Sequence, residues 1–141
     1  MKFWRINRWE DLIYRGKIQA KQRPRFNGKF VYTPKQTINY ENWVRECYLL
    51  KYRNEKPLET PLEVKIIAFY EIPKSTSKKK KQEMLENKVF PTIKPDTDNI
   101  AKSILDSLNG IAYLDDKQVV SLKVDKYYAE IPSVSVEIKE V

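Results

Sequence analysis

Strict alternation of apolar and polar side chains between residues 62 and 72 constrains the fold of this chain more than any other feature. The segment LEVKIIAFYEI places an apolar or aromatic residue at every even-numbered position, with Glu63, Lys65 and Glu71 on the other side. Successive side chains of a β-strand point to opposite faces of the sheet, so the pattern predicts one long, half-buried strand. Such a strand needs a second layer over its apolar face.

Two segments with helical periodicity are suited to form that layer. The first spans residues 37–54, with Thr37 as its predicted N-cap. Its predicted inward face consists of Tyr40, Trp43, Val44, Cys47, Leu50 and the stem of Lys51. The second spans residues 97–109, with Thr97 or Asp98 as its predicted N-cap and Gly110 just after its end. Its predicted inward face consists of Ile100, Ala101, Ile104, Leu105 and Leu108.

Further strands complete the prediction. We expect an early strand near residues 11–16, and a hairpin in which Asn27-Gly28 turns the chain between residues 25–26 and 29–32. Two late strands are predicted over residues 117–130 and 133–141, with inward faces formed by Val120, Leu122, Val124, Val134, Val136 and Ile138. Residues 1–10 are compatible with an additional strand or an arm.

The order of these elements is strand, hairpin, helix, strand, polar excursion, helix, strand, strand. It predicts an α+β fold in which two long helices pack on a mixed or antiparallel sheet, forming a two-layer domain over residues 1–141. No apolar run approaches the roughly 18 residues of a membrane span. The N-terminus lacks the apolar core of a signal peptide, so we expect a cytoplasmic protein.

Residue usage excludes several kinds of chemistry. The chain has no histidine and a single cysteine, Cys47, which rules out histidine-based catalysis, internal disulfides and cysteine zinc sites. We expect Cys47 to pack in the core, because no histidine is present to activate it. Any hydrolysis must therefore depend on carboxylates, lysine, water and metal.

Charge is distributed unevenly along the chain. Residues 1–95 carry 22 Lys/Arg and 10 Asp/Glu, whereas residues 96–141 carry 5 and 9, and the total formal charge is +8. The basic half contains a stretch, residues 17–35, without any acidic residue; its cations are Lys17, Lys21, Arg23, Arg25, Lys29 and Lys35. Cations with interleaved aromatics favour a phosphate-binding surface, although a solvated loop has a similar composition.

A second basic segment lies in the polar excursion, residues 74–95. We predict a short helix there, capped by the segment that ends at Ser77 and running from Lys78 to about Lys88. It begins with Lys78, Lys79, Lys80 and Lys81, and cations at a helix N-terminus oppose the macrodipole. Contact with nucleic acid and a solvated face are both compatible with this run. We expect the excursion to be mobile without a partner.

Four aspartates surround the second helix in sequence. Asp96 and Asp98 precede or begin it, and Asp115 and Asp116 follow it after a short turn. If the chain folds back after the second helix and brings Asp116 beside Asp96, the carboxylate oxygens of these aspartates can bind Mg²⁺. Lys102 can then offset the negative charge that develops during hydrolysis. In the alternative interpretation, Asp98 is only an N-cap and Asp115-Asp116 only a turn, and Lys102 pairs with Asp106.

The segment KPDTDNIAKSILDSLNGIAYLDDKQVV resembles the signature of the RusA-type Holliday junction resolvases, with the patterns PDxDNxxK, DxLNG and DDxQ. The resemblance extends to GKIQAKQRPRF, VYTPKQTINYE and IPKSTSKKK, and so covers roughly residues 16–125. Ile18 stands where many members carry proline, and residues 1–10 look like an addition. These departures concern the order of the N-terminal strands and leave the carboxylate pattern intact.

The resemblance implies a homodimeric, Mg²⁺-dependent endodeoxyribonuclease, with Mn²⁺ as an alternative ion. Such an enzyme nicks four-way DNA junctions symmetrically during recombination and repair. By position, Asp96, Asp98 and Asp116 match the metal-binding carboxylates, Asp115 adjoins the third of them, and Lys102 matches an essential lysine. The N-terminal basic motif of the family corresponds to Lys21, Arg23 and Arg25. A bacterial or phage origin is also implied.

Two other functions remain open at this stage. The chain could be a non-catalytic module that binds branched DNA or RNA, with structural aspartates and salt-sensitive binding. It could also be a nuclease for flaps, forks or RNA, because the fold alone does not specify the substrate. A metal-dependent product would separate the first alternative from a nuclease.

Overall fold

The computed structural model describes residues 12–15, 17–19 and 21–141, and its elements follow the predicted order. They are β1 (Leu12–Arg15), β2 (Arg25–Phe26), β3 (Val31–Tyr32), α1 (Lys35–Tyr52), β4 (Leu62–Glu71), α2 (Lys78–Leu85), α3 (Thr97–Leu108), β5 (Val119–Ala129) and β6 (Ser133–Glu140). A single 3₁₀ turn, Asp116–Gln118, precedes β5. The predicted strand or arm at residues 1–10 falls outside the described residues.

The predicted half-buried strand, β4, lies inside a mixed four-stranded sheet with the order β1-β6-β4-β5. It pairs in parallel with β5, from Leu62 opposite Val119 to Glu71 opposite Ala129. On its other side it pairs antiparallel with β6, which in turn pairs antiparallel with β1. The strands β2 and β3 form the predicted hairpin, and Gly28 at its turn has a φ of 96°.

The core lies between one face of this sheet and the helices α1 and α3. The even-numbered residues of β4 from Leu62 to Tyr70 are buried, and the strand alternates as predicted. They pack in one cluster with Val44 and Tyr48 of α1, with Ile100, Ile104 and Leu108 of α3, and with Val134, Val136 and Ile138 of β6. The predicted α+β two-layer architecture is therefore confirmed.

The beginning and the inward face of α1 differ from the prediction. The helix begins at Lys35 after Pro34, and Thr37 is buried in its first turn, where its Oγ1 accepts a hydrogen bond from the Gln22 N–H at 3.1 Å. Thr37 is therefore not the N-cap. Trp43 and Leu50, which were predicted to face inward, are 47% and 77% exposed. Each residue of an α-helix turns by about 100°, so Trp43 and Leu50 lie on one side of the helix, roughly 120–140° from the middle of the stripe formed by the buried residues Thr37, Val44 and Tyr48.

The N-cap of α3 is Asp96, so the prediction of Thr97 or Asp98 was wrong by one or two residues. Asp98 instead lies in the first turn, where the helix dipole favours a negative charge. The predicted inward face is confirmed, with Leu105 half-buried at its margin. Gly110 has a φ of 82°, the left-handed conformation expected after a helix end.

The strand β5 lies at one edge of the sheet, and this position changes its predicted burial. Val120 is 64% exposed and Leu122 is 44% exposed, whereas Val124 is half-buried. The prediction of a buried inward face was therefore wrong for Val120 and Leu122. An edge strand has a neighbour on one side only, and its apolar side chains are covered less completely. In β6, which lies between two strands, the predicted inward residues are fully buried.

The short helix α2 ends at Leu85, three residues before the predicted end. Asn87 adopts a φ of 60°, and this left-handed residue stops the helix. Ser77, the last residue of the predicted capping segment, is the N-cap, and its Oγ accepts a hydrogen bond from the Lys80 N–H at 3.3 Å. In the part of the chain that the structure describes, no helix has the length and apolarity to cross a membrane. Mobility of residues 74–95 stays a prediction.

Candidate active site

The first pair of candidate carboxylates, Asp96 and Asp98, lies at the N-terminus of α3. Asp96 has the extended backbone of an N-cap, but its side chain makes no capping hydrogen bond. Asp98 is exposed in the first helical turn. Neither carboxylate is used to cap the helix, and the helix dipole stabilises their charge. These oxygens are therefore oriented towards solvent in a way that suits a cationic ligand.

The segment that leads to Asp96 is attached to the sheet by two hydrogen bonds. The Tyr70 hydroxyl of β4 donates to the Pro95 carbonyl at 2.8 Å, and the Lys126 ammonium of β5 donates to the Ile93 carbonyl at 2.6 Å. Burial, followed by the negative charge of Asp96, raises the pKa of Tyr70 to about 12. The hydroxyl thus stays protonated, and it fixes the start of α3 next to the C-terminal end of β4.

The second pair, Asp115 and Asp116, lies in the turn before β5. Asp115 N-caps this turn: its Oδ1 accepts from the Lys117 N–H at 3.0 Å, and its own N–H donates to Gln118 Oε1 at 2.9 Å. The Gln118 Nε2 group donates to the carbonyls of Leu58 and Thr60 at 2.9 and 3.0 Å. One glutamine side chain therefore attaches the turn to the segment that enters β4.

The environment of the second pair shifts the pKa values of its two carboxyl groups in opposite directions. The hydrogen bond from the Lys117 N–H, above all, lowers the pKa of Asp115. Burial, followed by the hydrogen bond and the charge of Asp115, raises the pKa of Asp116, and the charge of Asp106 adds to this. Burial and these three aspartates also raise the pKa of Tyr113. A cation at this site would relieve their mutual repulsion.

Lys21, predicted to bind DNA, is engaged inside the protein. Its ammonium forms a hydrogen-bonded ion pair with Asp106 and lies 3.4 Å from Glu41 Oε1. Burial lowers the pKa of Lys21, but the two carboxylates outweigh burial and the net shift is upward. Lys21 thus joins the N-terminal segment to α1 and α3. Its charge is paired with these two carboxylates, and its predicted contact with DNA stays a prediction.

The other candidate cations lie on the surface. Arg23 and Arg25 are exposed, and Arg25 belongs to the β2–β3 hairpin. Lys35 is exposed in the first turn of α1, and Lys102 is exposed one turn after Asp98 on α3. The lysines of α2 are exposed as well: Lys78, Lys79, Lys80 and Lys81. Three further lysines, Lys17, Lys74 and Lys94, line an open cleft of about 450 Å³ beside the segment that leads to Asp96.

The structure brings Asp96 next to Asp98 and Asp115 next to Asp116, but it does not bring the two pairs together. Asp96 lies at the N-terminus of α3, whereas the carboxylate of Asp116 interacts with that of Asp106 in the last turn of the same helix. The 12 residues of α3 separate these ends by about 18 Å. Over residues 12–15, 17–19 and 21–141, no three acidic, histidine or cysteine side chains are placed to hold one ion. Carboxylate oxygens suit Mg²⁺, which is commonly held by one or two carboxylates together with water and substrate phosphate, so either pair could supply such ligands.

Three positioning side chains were missed in the sequence. Tyr70 was assigned only to the inward face of β4, Tyr113 was given no role, and Gln118 appeared only as part of the DDxQ pattern. A signal for Gln118 was present, because an aspartate followed three residues later by glutamine is typical of a capping box. The contact of Tyr70 with Pro95 had no comparable signal, because 25 residues separate them.

Comparison with known proteins gives these sites a family context. A protein-family model described as "Endodeoxyribonuclease RusA" matches residues 15–139, which include both aspartate pairs and Lys102. The chain belongs to the RusA endodeoxyribonuclease family. It is also 38% identical over 132 residues to "Uncharacterized protein YqaN" of Bacillus subtilis (strain 168), covering 89% of this chain and 92% of that protein. The resemblance in the sequence motifs is thereby confirmed at the level of the RusA family.

Proposed function

We propose that this protein is a Mg²⁺-dependent endonuclease that resolves four-way DNA junctions by symmetric nicking. The observation that carries the proposal is the RusA family match over residues 15–139. The carboxylates of Asp96 and Asp98 at the N-terminus of α3 support it, because neither is used in a helix cap and both are free to bind a cation. DNA recombination and repair are the processes in which such cleavage is used.

The proposed catalytic group consists of Asp96, Asp98, Lys102 and Asp116, with Asp115 as a further oxygen donor. Mg²⁺, or Mn²⁺ in its place, would supply a Lewis acid for phosphodiester hydrolysis. Carboxylates are the donors that such ions prefer. Lys102 is exposed one helical turn beyond Asp98, where its ammonium can stabilise negative charge on a phosphate.

The proposed DNA-binding surface comprises two basic elements. One is the N-terminal segment with Arg23 and Arg25, which continues from Lys21 and ends near Lys35. The other is the first turn of α2, whose four lysines, Lys78, Lys79, Lys80 and Lys81, are exposed. Exposed cations lower the free energy of DNA binding by releasing counterions. We further propose a homodimer, because two symmetric nicks require two active sites related by a two-fold axis.

A cleavage assay on a labelled synthetic four-way junction tests this proposal. Wild-type protein with Mg²⁺ should produce paired symmetric nicks that disappear with EDTA and are absent from a linear duplex of the same sequence. Asp98→Asn should abolish cleavage and leave junction binding largely intact. Glu46→Gln, which removes an exposed carboxylate from the outer face of α1, is the matched control and should cleave normally. Undiminished cleavage by Asp98→Asn would refute the assignment.

A non-catalytic junction-binding module is the second candidate. The observation that favours it is the separation of the two aspartate pairs along α3. This function predicts tight, salt-sensitive binding of the junction without any product in Mg²⁺ or Mn²⁺. The same assay therefore separates the two candidates. Replacing the junction by flap, fork and RNA substrates would then define the substrate class.

A further inference from the structure

The open cleft beside the segment that leads to Asp96 lies where β4 ends. It encloses about 450 Å³, and sites for small ligands typically enclose about 300–1,000 Å³. A cavity of this size suits one nucleotide but not duplex DNA, of which a single groove is already about 12 Å wide. Pro95 lines the cleft and directly precedes Asp96, so the cavity opens beside a proposed catalytic carboxylate.

The walls of the cleft are mainly apolar. Six of the residues that line it are Ile18, Phe69, Ile72, Pro73, Ile93 and Pro132. Ile93 is 56% exposed, although the Lys126 ammonium holds its carbonyl at 2.6 Å. Its backbone is thus fixed while its side chain faces the opening. Apolar walls with a few polar groups are typical of ligand pockets.

The cleft also carries more cations than anions. Lys17, Lys74 and Lys94 line it and are exposed, and Lys17 lies 3.8 Å from the carboxylate of Glu71, which is also in the lining. Over residues 12–15, 17–19 and 21–141, Lys74 and Lys94 form no ion pair. Two unpaired ammonium groups at the opening of an apolar cavity suit a ligand that combines phosphate with an apolar ring.

A second cavity continues the cleft towards α2. It encloses about 350 Å³ and shares Glu71, Ile72, Pro73 and Lys74 with the first. Its lining also includes Lys81, the last of the four lysines that begin α2. A single strand that leaves the cleft past Lys74 therefore reaches further cations, as expected of a groove that follows a phosphate backbone.

We propose that the cleft receives one nucleotide of the strand that is cut, turned out of the base stack, with its base against the apolar walls and its phosphates at Lys74 and Lys94. The proposal deepens the proposed nuclease function and rests on it. Every base has an apolar ring face, so contacts of this kind stabilise a complex without requiring a particular base. Binding the base here places its phosphate next to Asp96.

A site for an unstacked nucleotide favours branched DNA over linear duplex. Turning a base out of a duplex costs free energy, and the cost is least for a base that is mismatched or already unpaired. In an open junction, the base pairs at the branch point have lost a stacking neighbour, so their bases leave the stack more easily. A linear duplex bears the full cost, and the phosphate at its backbone therefore enters the site less often.

Binding to a linear duplex with one unpaired nucleotide tests the cleft without requiring cleavage. Two short labelled duplexes are compared, one with a base on the unpaired nucleotide and one with an abasic residue in its place. In EDTA, wild-type protein should bind the duplex with the base about tenfold more tightly in fluorescence anisotropy, the order of magnitude for one stacked base. Equal affinities for the two duplexes would overturn the proposal.

Two serine variants test whether this preference comes from the cleft. Ile93→Ser removes an exposed apolar side chain from its wall and should reduce the preference to about twofold or less. Ile131→Ser is the matched control, because Ile131 is 61% exposed and outside the cleft lining, and it should keep the full preference. A preference that persists in Ile93→Ser, or disappears equally in both variants, would overturn the location.

Lys74→Gln tests the phosphate contact separately. A lysine that contacts phosphate contributes to binding whether or not a base is present, so this variant should weaken the binding of both duplexes by the same factor. The slope of log affinity against log salt should also fall by about 1. Unchanged affinity and salt slope in Lys74→Gln would overturn the assignment of this lysine to a phosphate.

Cleavage of a four-way junction in Mg²⁺ separates the failure of the cleft from that of the nuclease function. Junction cleavage without a preference for the unpaired base would overturn the cleft and leave the nuclease function standing. A preference that Ile93→Ser abolishes, without cleavage of any DNA by wild-type protein, would overturn the nuclease function and leave a base-binding cleft. Cleavage that is slower in Ile93→Ser than in Ile131→Ser, together with the binding preference, would support the whole proposal.

Discussion

Gln118 is the side chain that attaches the Asp115–Asp116 turn to the segment entering β4, and the substitution Gln118→Ala removes its contacts. The backbone bond from the Leu114 N–H to the Leu58 carbonyl at 3.2 Å remains beside it. The glutamine makes three hydrogen bonds: Nε2 donates to the carbonyls of Leu58 and Thr60, and Oε1 accepts from the Asp115 N–H, all at 2.9–3.0 Å. Alanine can form none of them. The turn then keeps the bond from the Lys117 N–H to Asp115 Oδ1 at 3.0 Å and its backbone bonds, among them that from the Gln118 N–H to the Asp115 carbonyl at 3.1 Å.

The loss of stability follows from the number of these bonds. A typical protein hydrogen bond contributes about 0.5–1.5 kcal/mol net, so three bonds set an upper limit of about 4.5 kcal/mol. Gln118 is half-buried, and water can reach part of the groups that it leaves behind. We therefore expect the free energy of unfolding to fall by about 2 kcal/mol. For a chain of this length, that corresponds to a decrease in Tm of about 7 °C.

Urea unfolding followed by tryptophan fluorescence, at one fixed protein concentration, measures this loss. Lys117→Ala is the matched control, because this exposed residue makes its hydrogen bond in the turn through the backbone N–H, which alanine retains. Gln118→Glu should be at least as unstable as Gln118→Ala, because a carboxylate cannot donate to the two carbonyls. The reasoning would be refuted if Gln118→Ala unfolded within about 0.5 kcal/mol of the wild type, the range of ordinary surface substitutions.

Three further predictions concern the elements around the site. Tyr70→Phe removes the hydrogen bond to Pro95 and should lower stability by about 1–2 kcal/mol, with faster amide hydrogen exchange at the start of α3. Lys21→Met should cost about 1–2 kcal/mol at pH 8 in urea unfolding, because Asp106 loses its partner. Since the pKa of Lys21 is raised, the stabilisation is present at neutral pH, and the difference from wild type should shrink as the pH rises above 10.5. A difference unchanged at pH 11 would contradict this cause. Ile104→Ala in the core should cost about 3 kcal/mol, against less than 0.5 kcal/mol for the exposed Leu50→Ala, and equal losses would contradict the assignment of α1 and α3 faces.

Local sequence patterns determined most of the fold. Alternation identified β4, because only an extended chain places every second side chain on one face, and Asn27-Gly28 identified the hairpin turn. Helical periodicity located α3 and its buried face correctly. The motif around Asp96 was sufficient to indicate the RusA family, which the match over residues 15–139 confirms. These features depend on residues close together in the chain.

Tertiary structure decided what depends on distant neighbours. The exposure of Val120 and Leu122 follows from the position of β5 at the sheet edge, and nothing in their local pattern distinguishes an edge strand from a central one. The pairing of Lys21 with Asp106, 85 residues away, joins two segments that no local pattern connects. The sequence identified the aspartates, but only the length and direction of α3 showed that the two pairs lie at its opposite ends. Local pattern fixes which groups are available, whereas the packing of distant segments fixes which of them meet.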